Sequence, residues 1–227
     1  MKTQRLLVAC EESQRVCTAF RAKGWEAYSC DIIDCSGGHP EWHIKQDVLP
    51  LLDGNCAFET CDGTRHEIVG QWDMIIAHPP CTYLSNAGAA RLFKKIEGNT
   101  YIKLERYTKG LYAVDFFMKI YNAKCKCIAV ENPVPSKIYR LPKYSQIIQP
   151  FEHGHPFSKK TCLWLKGLPI LKPSEIVKPT MLWISGGSKN AQKQPRKNVG
   201  IIHNAKLRSK TFPGIAAAMA EQWGNVT

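Results

Sequence analysis

The chain has 227 residues, 44% of them hydrophobic and 22% charged, a globular composition that argues against disorder and is long enough to need no disulfide or metal staple. Its net charge of +12, from 31 Lys and Arg against 19 Asp and Glu, favours a polyanionic partner through counterion release. No apolar run approaches the roughly 20 residues that span a bilayer, and the short apolar stretch in MKTQRLLVACEESQ meets two glutamates too soon for a signal peptide.

The first third alternates strand and helix. Arg5–Ala9 is a continuous apolar run, as in a strand buried on both faces. Ser13 reads as the N-cap of a helix over Gln14–Lys23 that closes at Gly24, and Trp25–Cys30 as a second strand ending at Asp31. A polar segment, Asp34–Trp42, leads to a short strand over Ile44–Val48. This spacing predicts right-handed crossovers and a mostly parallel sheet. Asp62-Gly63, between two β-prone stretches, marks a hairpin at the sheet edge.

Trp72–Ala77 is another buried strand and runs into His78-Pro79-Pro80-Cys81. Apolar residues from Leu104 to Tyr121 predict one long helix over Tyr101–Asn122. Cys127–Val130 is a strand that runs into Glu131-Asn132-Pro133, and Gln146–Phe151 and Cys162–Leu165 read as later strands. Periodicity fades from Gly167 to Ala205, and Pro213–Trp223 is a helix with proline in its first turn.

Ligands of open parallel sheets bind at the carboxyl ends of the strands. Four predicted strands end there in polar or reactive residues: Cys10-Glu11-Glu12, Asp31, His78-Pro79-Pro80-Cys81 and Glu131-Asn132-Pro133. A carboxylate closing the second strand can accept both hydroxyls of a ribose. Two prolines stiffen the backbone and aim the residue that follows them, here a thiol.

The Pro-Cys pair followed by Glu-Asn, each after an apolar strand, resembles the DNA cytosine-5 methyltransferases, especially their short phage- and prophage-type members. The resemblance implies an α/β, Rossmann-like fold with a mostly parallel sheet flanked by helices, and S-adenosylmethionine as cofactor. By resemblance Cys81 is the nucleophile that adds to C6 of a flipped or single-stranded cytosine. Glu131 acts at N3, which requires a raised pKa for proton donation. Pro80 and Asn132 hold the two loops, and Lys159 stands where the family has arginine. Cofactor contacts are implied for Cys10, Glu11, Glu12 and Ser13, for Asp31 and Ile32, for Asp47 and Val48, and for His78 and Pro79. The first turn departs from the family in having no glycine. Its two carboxylates are instead expected to meet the cofactor's cationic ammonium and sulfonium. Trp42 is either an adenine-stacking residue or a packed loop tryptophan.

Tyr83, Ser85 and Asn86 follow the nucleophile and are expected on the path of the flipped base. Lys189, Lys193, Arg196 and Lys197 suit phosphate contacts, with Lys94, Lys95, Lys103, Arg106, Lys206, Arg208 and Lys210 as further candidates for that footprint. The expected layout is a catalytic core over 1–166 with a hairpin insertion near 56–69. A small basic target-recognition region over 167–205 and a C-terminal helix over 206–227 complete it. DNA is the expected partner of a cytoplasmic monomer with ten reduced cysteines. Cys30, Cys35, His39 and His43 have zinc-ligand chemistry, but their spacing matches no common finger, and no metal is expected. Two alternatives stay open: methyl transfer to RNA or to an exocyclic amine, and a nucleic-acid-binding protein without catalysis.

Overall fold

The computed structural model describes residues 3–89, 91–184, 199–201 and 209–225. Its centre is a seven-stranded sheet. Five strands are parallel: β1 (Arg5–Ala9), β2 (Glu26–Asp31), β3 (His43–Lys45), β6 (Met74–Ala77) and β9 (Cys127–Pro133). β12 (Thr161–Lys166) runs antiparallel to β9, and β10 (Gln146–Ile148) antiparallel to β12. The order across the sheet is β10-β12-β9-β6-β1-β2-β3. Strand order reverses between β1 and β6, where such a sheet opens its crevice. The α/β, Rossmann-like architecture expected from the sequence is present.

Alternation along β1 divides the apolar interior in two. Leu7 and Ala9 face a core closed by α3 (Leu104–Tyr121), the helix that follows the single-turn α2 (Asn86–Ala89), through Phe117 and Ile120, and by Trp72 and Trp164. Leu6 and Val8 face a second core closed by α1 (Arg15–Arg21) and α4 (Pro213–Trp223), through Phe20, Ile215, Met219 and Trp223. Both faces of the sheet are therefore covered, which is why its parallel strands read as unbroken apolar runs.

Four local expectations are corrected. The strand expected over Gln146–Phe151 ends at Ile148, because residues 150–152 form a 3₁₀ turn. Ser13 does not cap α1: the N-cap is Gln14, in the left-handed region and without a side-chain cap bond. The third strand is shorter than Ile44–Val48, because residues 49–51 form a 3₁₀ turn. The long helix begins at Leu104 rather than Tyr101, because β7 (Phe93–Ile96) and β8 (Asn99–Ile102) form an exposed antiparallel hairpin. Glu97 and Gly98 both have positive φ at its tip, as two-residue hairpin turns demand. A separate hairpin, β4 (Cys56–Glu59) with β5 (Arg65–Ile68), carries the Asp62-Gly63 turn. Beyond the main sheet, β11 (Phe157–Ser158), β13 (Met181–Ile184) and β14 (Val199–Ile201) form a small three-stranded sheet. No helix among the described residues is long and apolar enough to cross a membrane.

Candidate active site

The turn after β1 keeps glycine-like backbone geometry without glycine. Cys10 has φ 59° and Gln14 φ 57°, a conformation that costs about 1–2 kcal/mol for a residue with a Cβ. Neighbouring contacts offset that cost. Glu11 accepts hydrogen bonds from the backbone N–H of Val16 at 2.7 Å and Cys17 at 3.2 Å, so its carboxylate fills the anion seat at the start of α1. Gln14 clamps His39 from both sides, its Nε2 donating to the His39 carbonyl at 2.7 Å and its Oε1 accepting from the His39 N–H at 3.1 Å. Glu12 accepts from the Ser36 hydroxyl, and the Lys210 ammonium lies 3.8 Å from its Oε1. Ser13 is buried beneath Gly37, a position where any Cβ would strike Gln14.

Asp31 closes β2 and accepts from the Ile33 N–H at 3.3 Å; burial pushes its carboxyl up. Beside it Ile32 is 73% exposed, a large apolar side chain at the mouth of the crevice. Asp47 is exposed and accepts from the Leu49 N–H at 3.1 Å. Cys10 lies among these groups, and burial, followed by the charge of Asp31, raises its thiol. The Val48 side chain is packed into the core. Trp42 is a packed loop residue, stacked on His39 at 3.7 Å with the Arg21 guanidinium 4.9 Å from its ring. His43 is buried and bonded to Ser29 and to the Ile33 carbonyl.

The ends of β6 and β9 meet beside this turn. His78 Nδ1 lies 3.0 Å from Glu131 Oε2, with the two side chains only 9% and 11% exposed. Burial pushes the Glu131 carboxyl up, but the hydrogen bond from His78 and the charges of Lys159 and His78 outweigh it, and the group sits below its ordinary value. Burial pushes His78 down, and its bond and charge contact with Glu131, aided by Glu11, overcome burial and leave it raised. Both shifts favour the charged forms, an imidazolium beside a carboxylate. The raised Glu131 pKa expected from the sequence is corrected, because the hydrogen bond from His78 and the nearby positive charges lower it. Antiparallel pairing of β12 with β9 brings Lys159, in the turn before β12, near both groups.

Asn132 Nδ2 donates to the Pro79 carbonyl at 2.8 Å, which ties the strand bearing Glu131 to the loop bearing Cys81. Pro79 is buried, while Pro80 and Cys81 are exposed. Three buried side-chain atoms at these strand ends have no hydrogen-bond partner among the described residues: Glu12 Oε1, His78 Nε2 and Asn132 Oδ1. Such orphans are rare in finished interiors, and three of the six among the described residues sit at the carboxyl ends of β1, β6 and β9.

Of the expected nucleic-acid residues, Asn86 is exposed, whereas Ser85 is buried and accepts from the Gly88 N–H at 3.2 Å. Tyr83 lies under the Arg106 guanidinium at 4.8 Å. Arg106 itself donates to the carbonyls of Thr82 at 2.9 Å and Gly88 at 3.1 Å, so it braces the loop while remaining half-buried. Lys210 likewise donates to Ser36 at 2.6 Å. Lys94, Lys95 and Lys103 are exposed around the β7–β8 hairpin. Lys189, Lys193, Arg196, Lys197, Lys206 and Arg208 lie outside the described residues.

No protein-family model matches the sequence, and no curated protein matches it either. Solved structures do resemble the chain in shape. One is an E. coli prophage protein described as a DNA modification methyltransferase, at 14% identity and TM-score 0.40, covering 78% of this chain. A methyltransferase of Entamoeba histolytica (EhMeth) gives 12% and 0.44, and a mutant DNMT2 of Spodoptera frugiperda 14% and 0.36, each again over 78% of this chain. This chain spans 52%, 58% and 55% of their respective lengths. Likeness at this level carries nothing about substrate or chemistry, which rest on the residues of this chain.

Proposed function

We propose that the chain is an S-adenosylmethionine-dependent methyltransferase that methylates C5 of cytosine in DNA, with Cys81 as nucleophile. One observation carries the reading: Asn132 fastens the loop of the exposed Cys81 to the strand end that holds Glu131 in its pair with His78. A thiol and an acidic pair are thereby held on adjacent strand ends, where attack at C6 and charge relief at N3 of one ring both become feasible.

The residues fit the cofactor. Asp31 offers a carboxylate to ribose hydroxyls, and Ile32 an apolar face to adenine. Asp47 stands on the neighbouring strand end, and Glu12 Oε1, which accepts no hydrogen bond and has only the Lys210 ammonium at 3.8 Å, suits a cationic amino or sulfonium group. Glu11 is not available for this, because its carboxylate is committed to α1. Bound there, the cofactor supplies an electrophilic methyl group. Cys81 Sγ forms a bond to C6, and electron density moves to C5 and N3. The proton needed at N3 resides on His78 Nδ1 and reaches the base through Glu131. Lys159 offsets the negative charge left behind. After methylation, water takes the C5 proton, Sγ leaves C6 with the electrons of the C–S bond, and the N3 proton returns through Glu131 to His78, which restores the aromatic ring. The base must be flipped or unpaired for any of this.

The test is incubation of the protein with 5-fluorocytosine DNA and S-adenosylmethionine. Wild type is expected to form a covalent complex that survives denaturation, and Cys81→Ala to form none. Binding of DNA without trapping by the wild type overturns the enzymatic reading.

A further inference from the structure

A cleft of about 490 Å³ opens next to the site, between Asn86 and residues 134–144. Its outer wall carries three exposed cations at three-residue intervals, Lys137, Arg140 and Lys143. None of them has an ion-pair partner among the described residues. No acidic residue lines the cleft, and none occurs in the sequence between Glu131 and Glu152.

The wall is built rather than incidental. Ser136 caps its 3₁₀ turn by accepting from the Ile138 N–H at 3.3 Å. Tyr139 is buried and stacks on Tyr107 of α3 at 5.9 Å. Arg140 takes φ 49°, a left-handed turn that reverses the chain between two cations. Trp164 Nε1 donates to the Pro142 carbonyl at 2.7 Å, and Tyr144 meets Trp164 edge-on at 5.9 Å. The cations thus project from backbone anchored at both ends of the wall.

The cleft is also continuous with the reactive loops. Ser85 bridges Pro135, the Asn86 N–H donates to the Val134 carbonyl at 3.1 Å, and the Ser136 N–H donates to the Leu84 carbonyl at 2.7 Å. The segment after Cys81 and the segment leaving Glu131 are therefore joined edge to edge, and the cleft opens beyond this joint, where Asn86 meets residues 134–144. A chain of regularly spaced monoanions leading away from a base held near Cys81 and Glu131 matches that charge and shape.

We propose that this cleft seats the sugar–phosphate backbone of the DNA strand that carries the reacting base, with Lys137, Arg140 and Lys143 as its phosphate contacts. The inference rests on the preceding reading and names a contact surface for its substrate. Phosphate contacts position the strand without reading sequence, so they act on every DNA alike.

The test compares full-length wild type with a Lys137→Gln/Arg140→Gln/Lys143→Gln variant. Binding of fluorescent oligodeoxynucleotides is followed by anisotropy over a salt series, with RNA of the same sequence in parallel. Each lost phosphate contact removes about 0.7–0.9 from the slope of log K against log salt. The variant is expected to lose about two slope units and to bind DNA about tenfold more weakly or worse at ~0.1 M salt. An unchanged DNA slope overturns the cleft assignment, and a loss confined to RNA overturns the choice of strand. Trapping on 5-fluorocytosine DNA at saturating concentration separates the two readings. Wild-type trapping with an unchanged variant slope sinks the cleft alone. Lost slope with no wild-type trapping sinks the chemistry and leaves the cleft as a strand-binding surface.

Discussion

At the residue scale the decisive contact is His78 with Glu131. Each group alone pays a burial penalty for its charge, and together they remove it. The sign of the pH dependence follows. Glu131 lies below the ordinary carboxyl value of about 4.3, so its contribution is present above that value and lost as pH falls through the lowered one. His78 lies above the ordinary imidazole value of about 6.5, so its contribution is complete below that value and lost as pH rises through the raised one. The pair is intact across the window between. In rates of trapping at saturating DNA, Glu131→Gln is expected to lose about 10²–10⁴-fold. His78→Asn should lose less, about 10–100-fold, and should also lack the alkaline fall-off expected of wild type as His78 deprotonates. Wild-type and His78→Asn profiles of the same shape would remove His78 from the proton path. The sequence placed His78 at a strand end and among cofactor contacts. Its partner lies 53 positions away, and only the neighbouring of β6 and β9 brings the two together.

At the element scale, α3 and the segment after β9 show how closely the site's walls are packed. Gly110 on α3 leaves no room for a methyl, because a Cβ there would overlap the Tyr139 ring and hydroxyl. Gly110→Ala is expected to destabilise the protein by about 1–3 kcal/mol, read from urea unfolding, despite the better helix propensity of alanine. A neutral or stabilising result would mean that Tyr139 is free to move. The β7–β8 hairpin escaped the sequence reading for a related reason. Its eight strand residues are all exposed, so no buried face imposes the alternation by which a strand is recognised. The turn of α1 escaped it differently: the capping carboxylate comes from Glu11, three positions ahead of the N-cap residue, outside the usual capping pattern.

For the whole molecule, stability depends on two cores on opposite faces of one sheet. α4 closes one of them, with Trp223 fully buried and its Nε1 donating to the Pro169 carbonyl at 3.0 Å. Trp223→Ala is expected to cost about 3–5 kcal/mol and to lower the thermal midpoint in a single transition, since both cores share the strands between them. A second, independent transition would show that the faces unfold separately. The positions of the buried strands along the chain, the parallel sheet, the terminal helix and the polar residues at strand ends were all legible in the sequence. Those features depend on near neighbours in the chain, through apolar runs, turn residues and periodicity. Tertiary structure alone decided which ends became neighbours: Glu131 with His78, Asn132 with Pro79, Lys210 with Glu12, and the cationic wall beside the Cys81 loop. Pairing between distant residues depends on strand order and register, and no local pattern of residues encodes either.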